Sequence, residues 1–100
     1  MNRVWLSSPH IGANEQKYVS EAFETNWVAP LGPNVDAFEK QLTDYLNVNG
    51  VVSLSSGSAA LHLALVALGI KSGDIVLCQS FTFAASAFPI TYCGAEPVFV

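Results

Sequence analysis

Apolar and polar positions alternate in two different ways along this chain, and the change falls near residue 49. Over residues 14–25, Tyr18, Val19, Ala22 and Phe23 share one helical stripe while Glu15, Gln16, Glu21 and Glu24 lie elsewhere. That spacing predicts a helix with Asn14 as its N-cap, after an extended lead over 4–9. Two prolines and a glycine punctuate residues 26–33 around Trp27, and a second helix is expected to start near Pro33, since proline suits a first helical turn. Val35, Phe38, Leu42 and Tyr45 recur at helical spacing, so they are expected to face a core. Both helices are amphipathic and are expected on the outside of the fold.

From residue 49 short β-branched runs alternate with apolar helices. The pattern predicts a strand over 51–54, a helix over 58–68 closed by Gly69 in the left-handed region, and a turn at 71–74. A strand over 75–78 follows, then a helix over 83–92 kinked or shortened by Pro89, with Gly94 near its end, and a strand over 98–100. Strand, helix, strand, helix, strand at these lengths implies right-handed crossovers, hence an α/β fold with a mainly parallel sheet and flanking helices. Ligands in such sheets bind beyond the carboxyl ends of the strands, a rule that puts residues 56–59 and 79–83 at one sheet edge. The expected division is 1–48 as a helical segment with a loop and 49–100 as the start of an α/β domain. No internal repeat or low-complexity tract interrupts either part.

Candidate chemistry gathers at the turns. Ser56, Gly57, Ser58 and Ala59 are small enough for backbone N–H groups at a helix start to approach an anion, and the helix dipole favours negative charge there by ~0.3–1 kcal/mol. A serine that only caps the helix would give the same sequence, and geometry alone does not separate the two. Phe83 follows the second strand, where a ring stacks on a flat heteroaromatic group or serves as ordinary core; Phe81 and Phe88 are read as core. Asn26, Trp27, Val28 and Ala29 offer an amide, an indole and backbone groups to a sugar or nucleotide, or else Trp27 plugs a helix junction. His62 lies among Leu61, Leu63, Ala64 and Leu65 and is read as structural. No metal site is expected: grouping Cys78 and Cys93 with His10 and His62 is arithmetic only, and reduced, partly buried thiols are the expected state.

Five segments in order carry a resemblance. They are Leu6-Ser7-Ser8-Pro9-His10; the run 26–35 leading to Phe38-Glu39; the run 55–65; Phe81-Thr82-Phe83-Ala84-Ala85-Ser86; and the run 92–100. With these the chain resembles the sugar aminotransferases of the DegT/DnrJ/EryC1/StrS group, which use pyridoxal phosphate on the aspartate-aminotransferase-like type I fold. The resemblance implies that the chain is part of that fold's large domain. It implies that Gly57, Ser58 and Ala59 hold the cofactor phosphate, that Phe83 stacks on the cofactor ring, and that Asn26, Trp27, Val28 and Ala29 contact substrate, at a subunit boundary of a homodimer. The family often has Thr where this chain has Ser58, a change that keeps the hydroxyl. The run 26–35 is similar to members that aminate UDP-linked 4-keto-6-deoxy-N-acetylhexosamines, with glutamate as amino donor, in surface polysaccharide or glycan precursor synthesis. The Schiff-base lysine and the aspartate that pairs with the pyridine nitrogen come later in family members, so no catalytic residue is assigned here. Lys17, Lys40 and Lys71 read as solvated charges.

Composition changes the picture in one respect. Charged residues make up 12% of the 100 residues, against a typical ~25%. So few charges cannot cover the surface of a small domain. The chain is therefore expected to be the amino-terminal part of a larger protein, or a truncated product of one, with burial supplied by more chain or a partner subunit; the resemblance, with its lysine coming later, implies that these residues alone are inactive. A net charge of −4 without clustered Lys or Arg argues against nucleic acid. The apolar run 59–70 is too short to span a bilayer, and no signal-peptide pattern precedes it, so a soluble cytoplasmic protein is expected. Two other classes stay open on the residues: a different α/β enzyme binding a nucleotide phosphate at residues 56–59, and a non-catalytic remnant.

Overall fold

A computed structural model describes residues 3–100. The chain forms two compact units, one running to Ser53 and the other spanning Leu54–Val100. The first holds helices α1 (Glu15–Glu24) and α2 (Pro33–Leu46). The second holds helix α3 (Gly57–Ala67), strand β1 (Ile75–Cys78), a 3-10 turn (Ala84–Ser86), helix α4 (Phe88–Tyr92) and strand β2 (Glu96–Phe99).

β1 and β2 pair in parallel, with Ile75 opposite Glu96 and Cys78 opposite Phe99, and α4 forms the crossover between them. The fold is thus α/β with a parallel sheet and helices, as the alternation implied. Pro97 fits inside β2 because its neighbours face β1: the Glu96 N–H donates to Asp74 O and the Val100 N–H to Cys78 O, both at 2.9 Å. The missing N–H of Pro97 falls on the side turned away from that ladder. Cys78, Ile90 and Ala95 form the buried core, with Leu65, Ile70, Val76 and Ala87 packed against it and Pro89 fully enclosed. His62 meets Tyr92 edge to face, with ring centroids 5.6 Å apart, which joins α3 to α4.

Helix ends follow one rule throughout. After α1 the Asn26 N–H donates to Phe23 O and the Trp27 N–H to Ala22 O; after α2 the Asn47 N–H donates to Asp44 O and the Val48 N–H to Thr43 O. Gly69 with Ile70, and Gly94 with Ala95, repeat this pair of bonds after α3 and α4. All four helices therefore close in Schellman motifs, with Asn26, Asn47, Gly69 and Gly94 in the left-handed region. The expectation for Gly69 holds, and two asparagines do the same work elsewhere.

Several expectations are corrected. Residues 51–54 form no strand: no neighbouring strand among the described residues pairs with them, and the Ser53 N–H instead donates to Glu39 Oε1 at 2.7 Å. The helix expected over 83–92, kinked or shortened by Pro89, is shortened and not kinked: Pro89 opens α4, after a separate 3-10 turn. The last strand starts two residues earlier than expected. Asn14 sits at the start of α1 without a side-chain capping bond. The Glu15 carboxylate accepts from the backbone N–H groups there, and these hold its pKa below the usual value, with its own N–H first and that of Gly12 next. Phe38 and Tyr45 are exposed and Val35 and Leu42 half-buried, because none of the described residues of the first unit covers that face fully. Phe81 is 99% exposed and Phe88 also lies open, so neither is core here.

Candidate functional site

The second unit carries the site. α3 begins where Ser56, in extended conformation, turns its hydroxyl onto the helix, and Ser56 Oγ accepts the Ala59 N–H at 3.1 Å. This serine is a true cap, so one of the small-residue N–H groups is already satisfied. The N–H groups of Gly57 and Ser58 have no acceptor among the described residues. A Cβ built on Gly57 would meet nothing within 4 Å, so the space in front of this turn is open.

That space is an open cavity of about 590 Å³ lined by Gly57, Ser58, Ala60, Leu61, Phe83, Ala85 and Ser86. Three of the four residues expected at a cofactor thus face one cavity. Ala59 does not line it, and its N–H is turned to Ser56. Phe83 caps the 3-10 turn: its carbonyl accepts the Ser86 N–H at 2.9 Å, and the hydroxyls of Thr82 and Ser86 pair at 2.9 Å. These bonds fix the backbone of Phe83 while its ring stays 81% exposed. Ser86 escaped the sequence reading; its one signal was a hydroxyl residue four positions after Thr82.

No ionisable side chain lines the cavity, so its attraction for an anion rests on the N-terminus of α3, which carries roughly half a positive charge. Free N–H donors, one hydroxyl and an exposed ring across the same space are the donor set that a phosphorylated flat heterocycle requires. The residues present fit such a group.

The other expected residues lie in the first unit. Asn26 is the left-handed residue closing α1, at φ 59°. Trp27 is half-exposed, and a Cβ built on Gly32 would stand 2.8 Å from its Cε3 atom. Val28 is exposed, as is Ala29. No group of three or more His, Cys, Asp or Glu able to hold a metal ion occurs among the described residues. Cys78 is buried and Cys93 half-buried, both as free thiols. No helix among the described residues is long and apolar enough to cross a membrane.

An α/β unit with a cavity between a helix N-terminus and an aromatic loop is the kind of site that type I pyridoxal-phosphate aminotransferases build, and the neighbours among solved structures are of that class. A family model described as the DegT/DnrJ/EryC1/StrS aminotransferase family matches residues 9–100, and the chain belongs to that family. It is 53% identical over 98 residues to a Bacillus subtilis protein named "Putative pyridoxal phosphate-dependent aminotransferase EpsN", covering 98% of this chain and 25% of that protein. It is 44% identical over 98 residues to the GDP-perosamine synthase of Caulobacter vibrioides, covering 98% and 26%. Among solved structures, "Putative sugar aminotransferase Spr1654 from Streptococcus pneumoniae, PMP-form" superposes with a TM-score of 0.89 at 33% identity, over 99% of this chain and 25% of that one. The chain spans about a quarter of the length of the relatives it matches.

Proposed function

We propose that the whole protein is a pyridoxal-phosphate-dependent sugar aminotransferase, transferring an amino group from glutamate to the C4 ketone of a nucleotide-linked 4-keto-6-deoxy sugar. The observation that carries this reading is the single cavity shared by Gly57, Ser58 and Phe83 in a chain of this family. Pyridoxal phosphate, when bound, supplies the electron sink for amino transfer. The Gly57 and Ser58 N–H groups and the Ser58 hydroxyl hold its phosphate, and Phe83 covers one ring face and excludes water from it. Ala59, also expected there, contributes by continuing the helix whose dipole points at the anion. Asn26, Trp27, Val28 and Ala29 contact the sugar nucleotide.

Residues 1–48 then serve as the helical segment with the substrate loop, and residues 49–100 begin the cofactor-binding domain. The lysine that carries the cofactor lies outside these 100 residues. The finer reading is a UDP-linked 4-keto-6-deoxy-N-acetylhexosamine as substrate, used by a cytoplasmic homodimer that makes precursors of surface polysaccharide or glycan. Similarity to a GDP-perosamine synthase and, at 40% identity over 96 residues, to a dTDP-4-dehydro-2,3,6-trideoxy-D-glucose 4-aminotransferase of Saccharopolyspora spinosa supports a nucleotide sugar and makes the nucleotide the point to test.

The test is borohydride reduction of the full gene product in the presence of pyridoxal phosphate, with intact mass and the modified residue read by mass spectrometry. One phosphopyridoxyl group on a single lysine outside this segment, followed by turnover of the UDP-sugar, is the expected result. Absence of label, or label scattered over Lys17, Lys40 and Lys71, overturns the aminotransferase reading. Turnover of a GDP- or dTDP-sugar in its place overturns the nucleotide alone.

A further inference from the structure

In the first unit two side chains rest against a glycine that a methyl group would crowd, the flexible end of Glu15 on Gly12 and the rigid ring of Trp27 on Gly32. Gly32 is buried, a rare state in this unit, and its φ of +133° lies where L side chains are strained. A β-carbon built there would stand 2.8 Å from Cε3, 3.3 Å from Cδ2 and 3.5 Å from Cζ3 of Trp27. The benzo edge of the indole therefore rests directly on the Gly32 backbone. At the other end of the residue, the Trp27 N–H is tied to Ala22 O at 2.8 Å by the Schellman motif that Asn26 makes possible.

These constraints fix backbone and ring together. Trp27 remains 47% exposed, so one side is seated and the rest stays available. Two shallow depressions flank it, one of about 130 Å³ reaching Ala22 and Thr25 and one of about 40 Å³ reaching Ala29 and Leu31. A large rigid amphipathic ring held at both ends binds a sugar or base face at low entropic cost, because its rotamer is settled before the ligand arrives.

We infer that Gly32 is a positioning residue for substrate: its bare backbone is the seat that holds the Trp27 ring ready to cover one face of the nucleotide sugar. This rests on the proposed sugar-aminotransferase reading. Glycine is required at 32 for two separate reasons, the positive φ and the absent Cβ, and only the second acts through Trp27. The strain is common to any L residue and shows as stability; the displaced ring shows in substrate binding.

The experiment uses the full gene product with Gly32→Ala, Trp27→Ala and the double variant. The probe is a UDP-linked 4-keto-6-deoxy-N-acetylhexosamine. Incorporation of 5-fluorotryptophan, with the Trp27 resonance assigned by Trp27→Phe, reports the ring without reference to activity. Gly32→Ala is expected to move that ¹⁹F resonance and to raise the sugar-nucleotide KM about tenfold, with kcat within about twofold of wild type. In the Trp27→Ala background the same substitution is expected to leave KM unchanged within about twofold. An unmoved resonance, or a KM rise that persists without Trp27, overturns the inference. If Gly32→Ala yields no folded protein, recovery of folding in the double variant supports the seat, and continued failure assigns Gly32 to backbone strain alone. A protein that turns over no sugar nucleotide refutes the substrate role together with the aminotransferase reading, while the ¹⁹F shift still decides whether Gly32 seats the ring.

Discussion

The two units of this chain are held together by different means. In Leu54–Val100 a strand, a crossover helix and a second strand close on Cys78, Pro89, Ile90 and Ala95, and the cavity residues stand on that scaffold. In the unit ending at Ser53 no large apolar side chain among the described residues is buried: Tyr18, Val19, Phe23 and Phe38 all lie open, and order comes from helix caps and from one glycine under one tryptophan. The proposed cofactor cavity is thus held by packing, and the loop proposed to meet substrate by local backbone geometry. The second unit is itself only half covered, since Ile75 and Leu77 of β1 face outward and exposed, whereas parallel sheets are normally covered on both faces.

The sharpest way to break this contrast is a core deletion. Ile90→Ala removes a side chain that is 3% exposed and is expected to cost about 2–5 kcal/mol in the whole protein, read by denaturant titration. A loss below about 1 kcal/mol would mean that the second unit owes little to this core.

Next in size are the asparagines that close the first unit's helices. Asn47→Ala places a Cβ-bearing residue without a local hydrogen-bonding side chain at φ 52° and should cost about 1–2 kcal/mol, whereas Asn47→Gly should be neutral or slightly stabilising. Equal losses for both would show that the side chain, not the left-handed backbone, is what matters there. At the cap of α3, Ser56→Ala is expected to cost about 1 kcal/mol, seen as roughly fivefold faster amide exchange at Ala59 with little change beyond the first turn. Unchanged exchange would remove Ser56 as a cap.

These helix ends also show how legible the chain was. The alternation of strand and helix after residue 49 and the position of Gly69 followed from period and turn chemistry, because both are local. The run 51–54 has the composition of a strand and forms none, since a strand exists only with a neighbour to pair with, and no alternation of its own residues reveals one. Phe81 and Phe88 read as core for the same kind of reason: apolarity says what a side chain prefers, while burial depends on what else is present to cover it. At the site, the small turn and Phe83 were readable, but that Ser56 takes the Ala59 N–H and that Gly32 seats Trp27 are facts of three-dimensional placement. Asn26 drew notice for its amide and turned out to close α1 through its backbone.

The smallest effect concerns pH at the start of α1. Backbone N–H donors hold the exposed Glu15 carboxylate below its usual pKa. A carboxyl whose folded pKa is lowered contributes stability that is fully present above the unfolded value and is lost as pH falls through the folded one. The expected observation is a Glu15 carboxyl carbon that titrates below the ordinary glutamate value, with fraying of the first turn of α1 over the same acid range. Titration at or above the ordinary value would leave α1 without its N-terminal anchor.

The most direct test of the central claim, that Gly57, Ser58 and Phe83 form the cofactor cavity, is the dissociation constant for pyridoxal phosphate of the full gene product with Ser58→Ala, Phe83→Ala and, as control, Phe81→Ala. Phe81 is more exposed than Phe83 and lies outside the cavity lining. The account predicts that Kd rises about tenfold for each of the first two, roughly the loss of one anion-binding hydroxyl or one stacked ring, and stays at the wild-type value for the third. An affinity untouched by Phe83→Ala, or lowered equally by Phe81→Ala, would contradict it.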